Sequence, residues 1–208
     1  MYIHQKYSIQ CGADLENADK IMILLHGRGS SAQGVISLGE SFDFKKFHRI
    51  MPEATRNSWY PYGFMAPVEQ NQPALDSALE VLQSIFDQLI KKGKKAEDIM
   101  IVGFSQGACL ALEFSARLGE KLGGVVAFTG GLIGENLDLT LYKKGLNSPV
   151  WISGGDEDFH VPLERMEESK NVLENLGAEV HLQIYPGKPH SIDYEELQES
   201  KKWISERM

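Results

Sequence analysis

The sequence predicts an α/β fold, a mostly parallel sheet with helices on both of its faces, and three observations carry that expectation. Short apolar, β-branched runs alternate along the chain with longer segments whose apolar positions recur at i, i+3 and i+4. The short runs are continuously apolar, as strands buried on both faces of a parallel sheet are. Several of them end in small residues followed by polar ones, and ligands of such sheets gather at the carboxyl ends of the strands.

Taken in order, residues 2–10 from Tyr2 alternate like an edge strand, and Lys20 to Leu25 reads as a central one. It ends in His26-Gly27-Arg28-Gly29, where glycines allow either a plain turn or a backbone that aims its amides at a neighbouring site. A helix over 32–40 and a strand over 47–51, closed by Pro52, come next. Residues 52–73 hold Pro52, Pro61, Pro67 and Pro73 beside Trp59, Tyr60, Tyr62 and Phe64, so they cannot be one regular element. Loops longer than ~15 residues are usually functional, and this one is expected to wall a substrate site or to fold back over the core. Residues 74–90 form an amphipathic helix through Leu75, Ala78, Leu82, Phe86 and Leu89. Further strands are expected over 99–102, 123–128, 149–152 and 180–185, with helices from 106, over 162–177 closed by Gly177, and over 193–206 starting at Asp193.

The length of 208 residues suits one domain, 1–208, with a core that needs no staples. Lys and Arg number 21 against 29 Asp and Glu, a net charge of -8, so nucleic acid and anionic membranes are not expected partners. The lysines around Gly93 read as a solvated helix end. Two cysteines, Cys11 and Cys109, without metal-ligand spacing suit a reducing compartment, and Cys109 reads as core. The first residues lack the features of a signal peptide, and no run approaches the ~18 apolar residues of a membrane span. The expectation is a cytoplasmic protein, monomer or homodimer, with no cofactor, no metal and no stable membrane association.

The chemistry centres on Gly103-Phe-Ser105-Gln-Gly107, which lies between the strand at 99–102 and a helix. Gly-x-Ser-x-Gly in that context is a nucleophile elbow, although a serine capping a helix after a glycine turn would use the same residues. A serine hydroxyl needs a histidine to take its proton and an acid to orient that histidine. Asp158, in Gly155-Asp-Glu-Asp158, and His190, in Gly187-Lys-Pro-His190-Ser191, follow Ser105 in the order Ser, acid, His. With Leu25-His26-Gly27 early and Val161-Pro162 after the acid, these blocks resemble the phospholipase/carboxylesterase family. These are compact α/β-hydrolases that include acyl-protein thioesterases and small bacterial carboxylesterases.

The resemblance implies an α/β-hydrolase fold without a large lid, with Ser105 as nucleophile, Asp158 as acid and His190 as base. It also implies an oxyanion hole from the backbone amides of Arg28 and Gln106. Trp59, Tyr60, Phe64 and Leu132 are the expected substrate contacts. Two departures bear on the substrate: Arg28 stands where the thioesterase branch has an apolar residue, and Phe159-His160 replaces a Pro-apolar pair after the acid. The expected activity is hydrolysis of small soluble short-chain or aryl esters through an acyl-enzyme. A lysophospholipase or acyl-protein thioesterase is the alternative, and a non-catalytic binding module a remote one. Of the other polar residues, His26 reads as a structural turn histidine, His160 as a loop-tip residue, and Asp156 as a carboxylate bonding local amides.

Overall fold

The computed structural model describes residues 3–42 and 44–208. Among these residues seven strands form one sheet: β1 (Ser8–Gly12), β2 (Lys20–Leu25), β3 (Phe47–Pro52), β4 (Ile99–Phe104), β5 (Gly124–Phe128), β6 (Pro149–Gly155) and β7 (Glu179–Tyr185). Their spatial order is β1-β3-β2-β4-β5-β6-β7. β1 runs antiparallel to β3, and every other neighbouring pair is parallel. The helices are α1 (Ile36–Ser41), α2 (Val68–Asn71), α3 (Ala74–Lys91), α4 (Gln106–Leu118), α5 (Leu163–Asn175) and α6 (Tyr194–Ser205).

Strand alternation divides the core in two. Ile21, Ile23, Leu25, Ile99, Ile101, Val125 and Ile152 point to one side, where Leu75, Ala78 and Leu82 of α3, Leu112 of α4 and Met166 of α5 meet them. Met22, Leu24, Met100, Val102, Val126 and Trp151 point to the other, against Val35, Phe42 and Ile204 of α6. Central strands covered on both faces have no polar face to alternate with, which is why their sequences read as unbroken apolar runs.

The expected first strand is shorter and later than its alternation suggested. Tyr2 lies outside the described residues, and His4 is drawn off the sheet edge: its N–H donates to Ser77 Oγ at 2.9 Å, and its ring bridges Thr55 N and Trp59 O. The helix expected over 32–40 is a 3-10 turn, Gln33–Val35, running into α1. α6 begins as expected at Asp193, whose side chain accepts from Glu196 N while Glu196 reaches back to Asp193 N. Gly177 ends the α5 segment at a φ of 104°. Among the described residues no helix is long and apolar enough to cross a membrane.

α4 meets the sheet through a backbone contact that excludes side chains. A Cβ on Gly107 would sit 2.2 Å from Leu25 O, and one on Gly103 would sit 2.3 Å from Gly107 O. Gly107→Ala is therefore expected to cost about 1–3 kcal/mol or more in urea denaturation, since backbone cannot yield to it as a side chain could. Gly63→Ala, with nothing within 4 Å, should change stability by no more than ~0.5 kcal/mol. Equal midpoints for the two variants would contradict this account of how α4 is seated.

Candidate active site

The glycines that seat α4 also set the conformation of Ser105. It lies between β4 and α4 at φ 55° and ψ -120°, a backbone region that costs a non-glycine residue ~1–3 kcal/mol and persists only where its surroundings impose it. Ser105 N donates to Phe128 O of β5 at 2.9 Å, and Ser105 O accepts from Cys109 N at 3.0 Å. The residue is thus fixed from the sheet on one side and the helix on the other.

His190 comes to Ser105 on the loop between β7 and α6, and Asp158 on the loop after β6. His190 Nε2 is 2.7 Å from Ser105 Oγ, and His190 Nδ1 is 2.7 Å from Asp158 Oδ2. The second oxygen of Asp158, Oδ1, accepts from the main-chain N–H of His160 at 2.8 Å and of Val161 at 3.2 Å. Asp158 is buried, so these bonds orient a carboxylate that water cannot reorient.

The two loops are locked to each other. A Cβ on Gly155 would fall 1.7 Å from Lys188 O, and Asp156 Oδ1 accepts from Gly187 N at 2.6 Å. Asp156 therefore spans to the histidine loop instead of bonding local amides; Asp158 does that with Oδ1. Beneath the loop, buried Lys188 pairs with buried Glu196 of α6.

The loop after β2 passes beside the serine: a Cβ on Gly27 would lie 3.4 Å from Ser105 Cβ. Among the described residues the main-chain N–H groups of Arg28 and Gln106 find no acceptor. Both residues line a cavity of about 310 Å³ together with Ser105, His190, Tyr60, Gly63, Phe64, Cys109, His160 and Val161.

The family described as Phospholipase/Carboxylesterase matches residues 4–208. The chain belongs to that family. A solved phospholipase/carboxylesterase from Dyadobacter fermentans is 46% identical, with 99% of each chain covered and a TM-score of 0.96. A solved esterase, PE8, is 28% identical over 97% of this chain and 98% of its own, at a TM-score of 0.82. Acyl-protein thioesterase 1 of Kluyveromyces lactis is 26% identical, with 97% of each chain covered. The fold is that of the α/β-hydrolases, with no large lid, and the chain is a hydrolase of the carboxylesterase and acyl-protein thioesterase kind.

In this family member two of the expected substrate contacts lie elsewhere. Trp59 is fully buried and does not line the cavity: its indole N–H donates to His26 O at 2.9 Å, and its main-chain N–H donates to Gln106 Oε1 at 2.9 Å. Leu132 is fully buried as well, its N–H donating to Ser169 Oγ and its carbonyl accepting from Arg165. Tyr60 and Phe64 do line the cavity; Cys109 is buried in the core as the sequence suggests and also borders the cavity, and burial pushes its thiol up to about 12. His160 is exposed, and its ring packs edge-on against His190 with centroids 4.8 Å apart.

The Gln106 side chain was missed in the sequence. Besides accepting from Trp59 N, it donates from Nε2 to Tyr60 O at 2.8 Å, which ties the aromatic loop to the elbow. His4 was missed too. His4 and His26 flank the Trp59 ring at centroid distances of 5.5 and 5.1 Å. Each accepts a main-chain N–H on one ring nitrogen, from Thr55 and Ala54 respectively, and faces a carbonyl with the other. That pattern suits only the neutral ring.

Burial lowers both histidines from their ordinary value of 6.5. The unfolded chain then takes up protons before the folded one, so the stability they confer is complete above about pH 6.5 and is lost as the pH falls from there toward the folded-state values. The melting temperature should drop between pH 7.5 and 5.5. In His26→Gln it should be lower at pH 7.5 but should drop less on acidification, and an equal acid-side drop would remove His26 from the account.

Proposed function

We propose that this chain is a serine carboxylesterase that hydrolyses small, soluble, short-chain or aryl carboxylic esters through an acyl-enzyme. The observation that supports it best is the unbroken series Ser105 Oγ, His190 Nε2, His190 Nδ1, Asp158 Oδ2, with 2.7 Å at each hydrogen bond and the serine on a cavity wall. Asp158 holds the proton of the imidazole on Nδ1, which leaves Nε2 free to take the Ser105 proton as Oγ attacks the ester carbonyl. The oxyanion that forms is met by the main-chain N–H groups of Arg28, on the loop after β2, and of Gln106, at the start of α4, where the helix dipole also favours negative charge. His190 then gives its proton to the departing alcohol, and water cleaves the acyl-Ser105 ester by the same route in reverse.

Ser105→Ala tests this directly. The variant should keep its fold and lose at least ~1,000-fold in kcat for 4-nitrophenyl acetate, and a fluorophosphonate probe should label the wild type alone. Labelling of another serine with turnover intact would end the assignment.

The cavity of about 310 Å³ is at the small end of ligand sites, which favours short acyl or aryl groups. One observation favours the alternative of a longer-chain substrate, as in lysophospholipase or acyl-protein thioesterase. Phe159, next to the acid, is 97% exposed, and Tyr62 and Met65 of the aromatic loop are exposed too. Each methylene buried there would contribute ~0.8 kcal/mol. Across 4-nitrophenyl esters from acetate to palmitate, kcat/KM should fall beyond medium length, without a jump above the micelle concentration. A maximum at the longest chains would select the alternative, and a parallel thioester series would divide thioesterase from esterase.

A further inference from the structure

The chain has 29 acidic residues against 21 Lys and Arg, yet among the described residues no aspartate or glutamate lines the cavity at Ser105. The polar side chains there include Arg28, His160 and His190. The carboxylate behind them, Asp158, has both oxygens engaged, one by His190 and the other by two main-chain amides. Among the described residues the wall of this cavity thus carries a permanent cation and no carboxylate, on a molecule whose net charge is -8.

Arg28 is exposed, but its guanidinium is held in place. It donates to the carbonyl oxygens of Pro61 and Tyr62, and its Cζ stands 6.0 Å from the centre of the Tyr60 ring. Carbonyl oxygens orient a cation without neutralising it. Arg117, Arg165 and Arg207 each meet a glutamate within ion-pair distance, whereas among the described residues no carboxylate comes that close to Arg28. A fixed, unneutralised cation in a cleft focuses positive potential into it, and guanidinium geometry matches carboxylate and phosphate oxygens.

We infer that the substrate carries an anionic group, a carboxylate or a phosphate, on its acyl or its alcohol side, and that the Arg28 side chain selects for it. This rests on the esterase reading above. It assigns the side chain a task separate from that of the Arg28 main-chain N–H. The size of the cavity places the anion within a few bonds of the ester.

Two matched pairs of substrates read the charge on either side of the ester. The mono-4-nitrophenyl ester of adipic acid against its methyl ester places the anion on the acyl group. 4-Acetoxybenzoate against methyl 4-acetoxybenzoate places it on the leaving group. In at least one pair the wild-type kcat/KM should favour the anion by ~5-fold, the scale of an exposed charge contact, and the preference should shrink in 0.5 M NaCl. The ratio within that pair should fall to about 1 in Arg28→Gln and survive in Arg28→Lys, whatever happens to the absolute rates. Ratios near or below 1 in the wild type, or ratios that Arg28→Gln leaves unchanged, would overturn the inference and leave Arg28 as a clamp on the aromatic loop. Loss of all turnover on the neutral esters would instead count against the esterase reading. In that event calorimetric titration of Ser105→Ala with 4-acetoxybenzoate and its methyl ester still decides the charge preference, tighter binding of the anion supporting it and equal binding overturning it.

Discussion

The contact of Gly107 with Leu25 is the constraint on which the rest of the site depends. It lets the first turn of α4 lie against the end of β2 with no side chain between them, and a Cβ there would meet the carbonyl carbon as well as the oxygen. Three consequences follow from one close approach. Ser105, the residue before the helix, is bent into a conformation that an L-residue does not adopt unaided. The Gly27 turn comes within van der Waals distance of the serine, and Arg28 and Gln106 line one cavity with it. The Gln106 side chain is left pointing back to Trp59 and Tyr60, where it bonds both main chains.

A second constraint holds the histidine side of the site. Gly155 and Lys188 are packed backbone to backbone, so the Asp158 loop and the His190 loop meet with no side chain between them, and Asp156 bonds them again through Gly187. Lys188 and Glu196 form a buried ion pair under that junction, with Tyr185 facing the Lys188 ammonium at 4.8 Å. Removing either partner of such a pair leaves an uncompensated buried charge, which is far more costly than the pair itself is stabilising. The pair therefore resists displacement of the loop on which His190 sits. The 2.7 Å bonds to His190 are the product of this packing, since two isolated loops would not hold three side chains in line.

What was legible in the sequence follows from what each signal depends on. The strands β2, β4, β5 and β6 were readable because burial on both faces leaves an unbroken apolar run, and the elbow because its glycines are required by local sterics. Ser105, Asp158 and His190 could be brought together because topology carries every strand end of a parallel sheet to one edge. The first strand was misplaced because alternation cannot reveal that His4 finds Ser77, Thr55 and Trp59, partners distant in the chain. Trp59 was misread for a related reason. Composition marks a loop as aromatic, but which ring turns inward depends on the polar groups waiting inside, here His26 O and Gln106 Oε1. Asp158 was told from Asp156 by its place in the Gly155-Asp-Glu-Asp158 block, and it is the one that meets His190 Nδ1, but the bond of Asp156 to Gly187 N crosses to a loop 31 residues away that no local pattern reveals.

The inward turn of Trp59 also decides the chemistry of the cavity. With the indole bonded beneath the loop, the chain emerges at Tyr60 and presents the carbonyls of Pro61 and Tyr62 to the Arg28 guanidinium. Arg28 is thereby held at the opening by acceptors that carry no net charge, whereas a carboxylate in the same place would have cancelled it. The neutral state of His4 and His26 belongs to the same arrangement, because each must accept a main-chain N–H for the loop to keep its course. A segment that looks like an apolar wall in the sequence thus becomes a scaffold: its largest ring fills the core, and its backbone carbonyls hold the guanidinium of a residue that lines the same cavity as the serine.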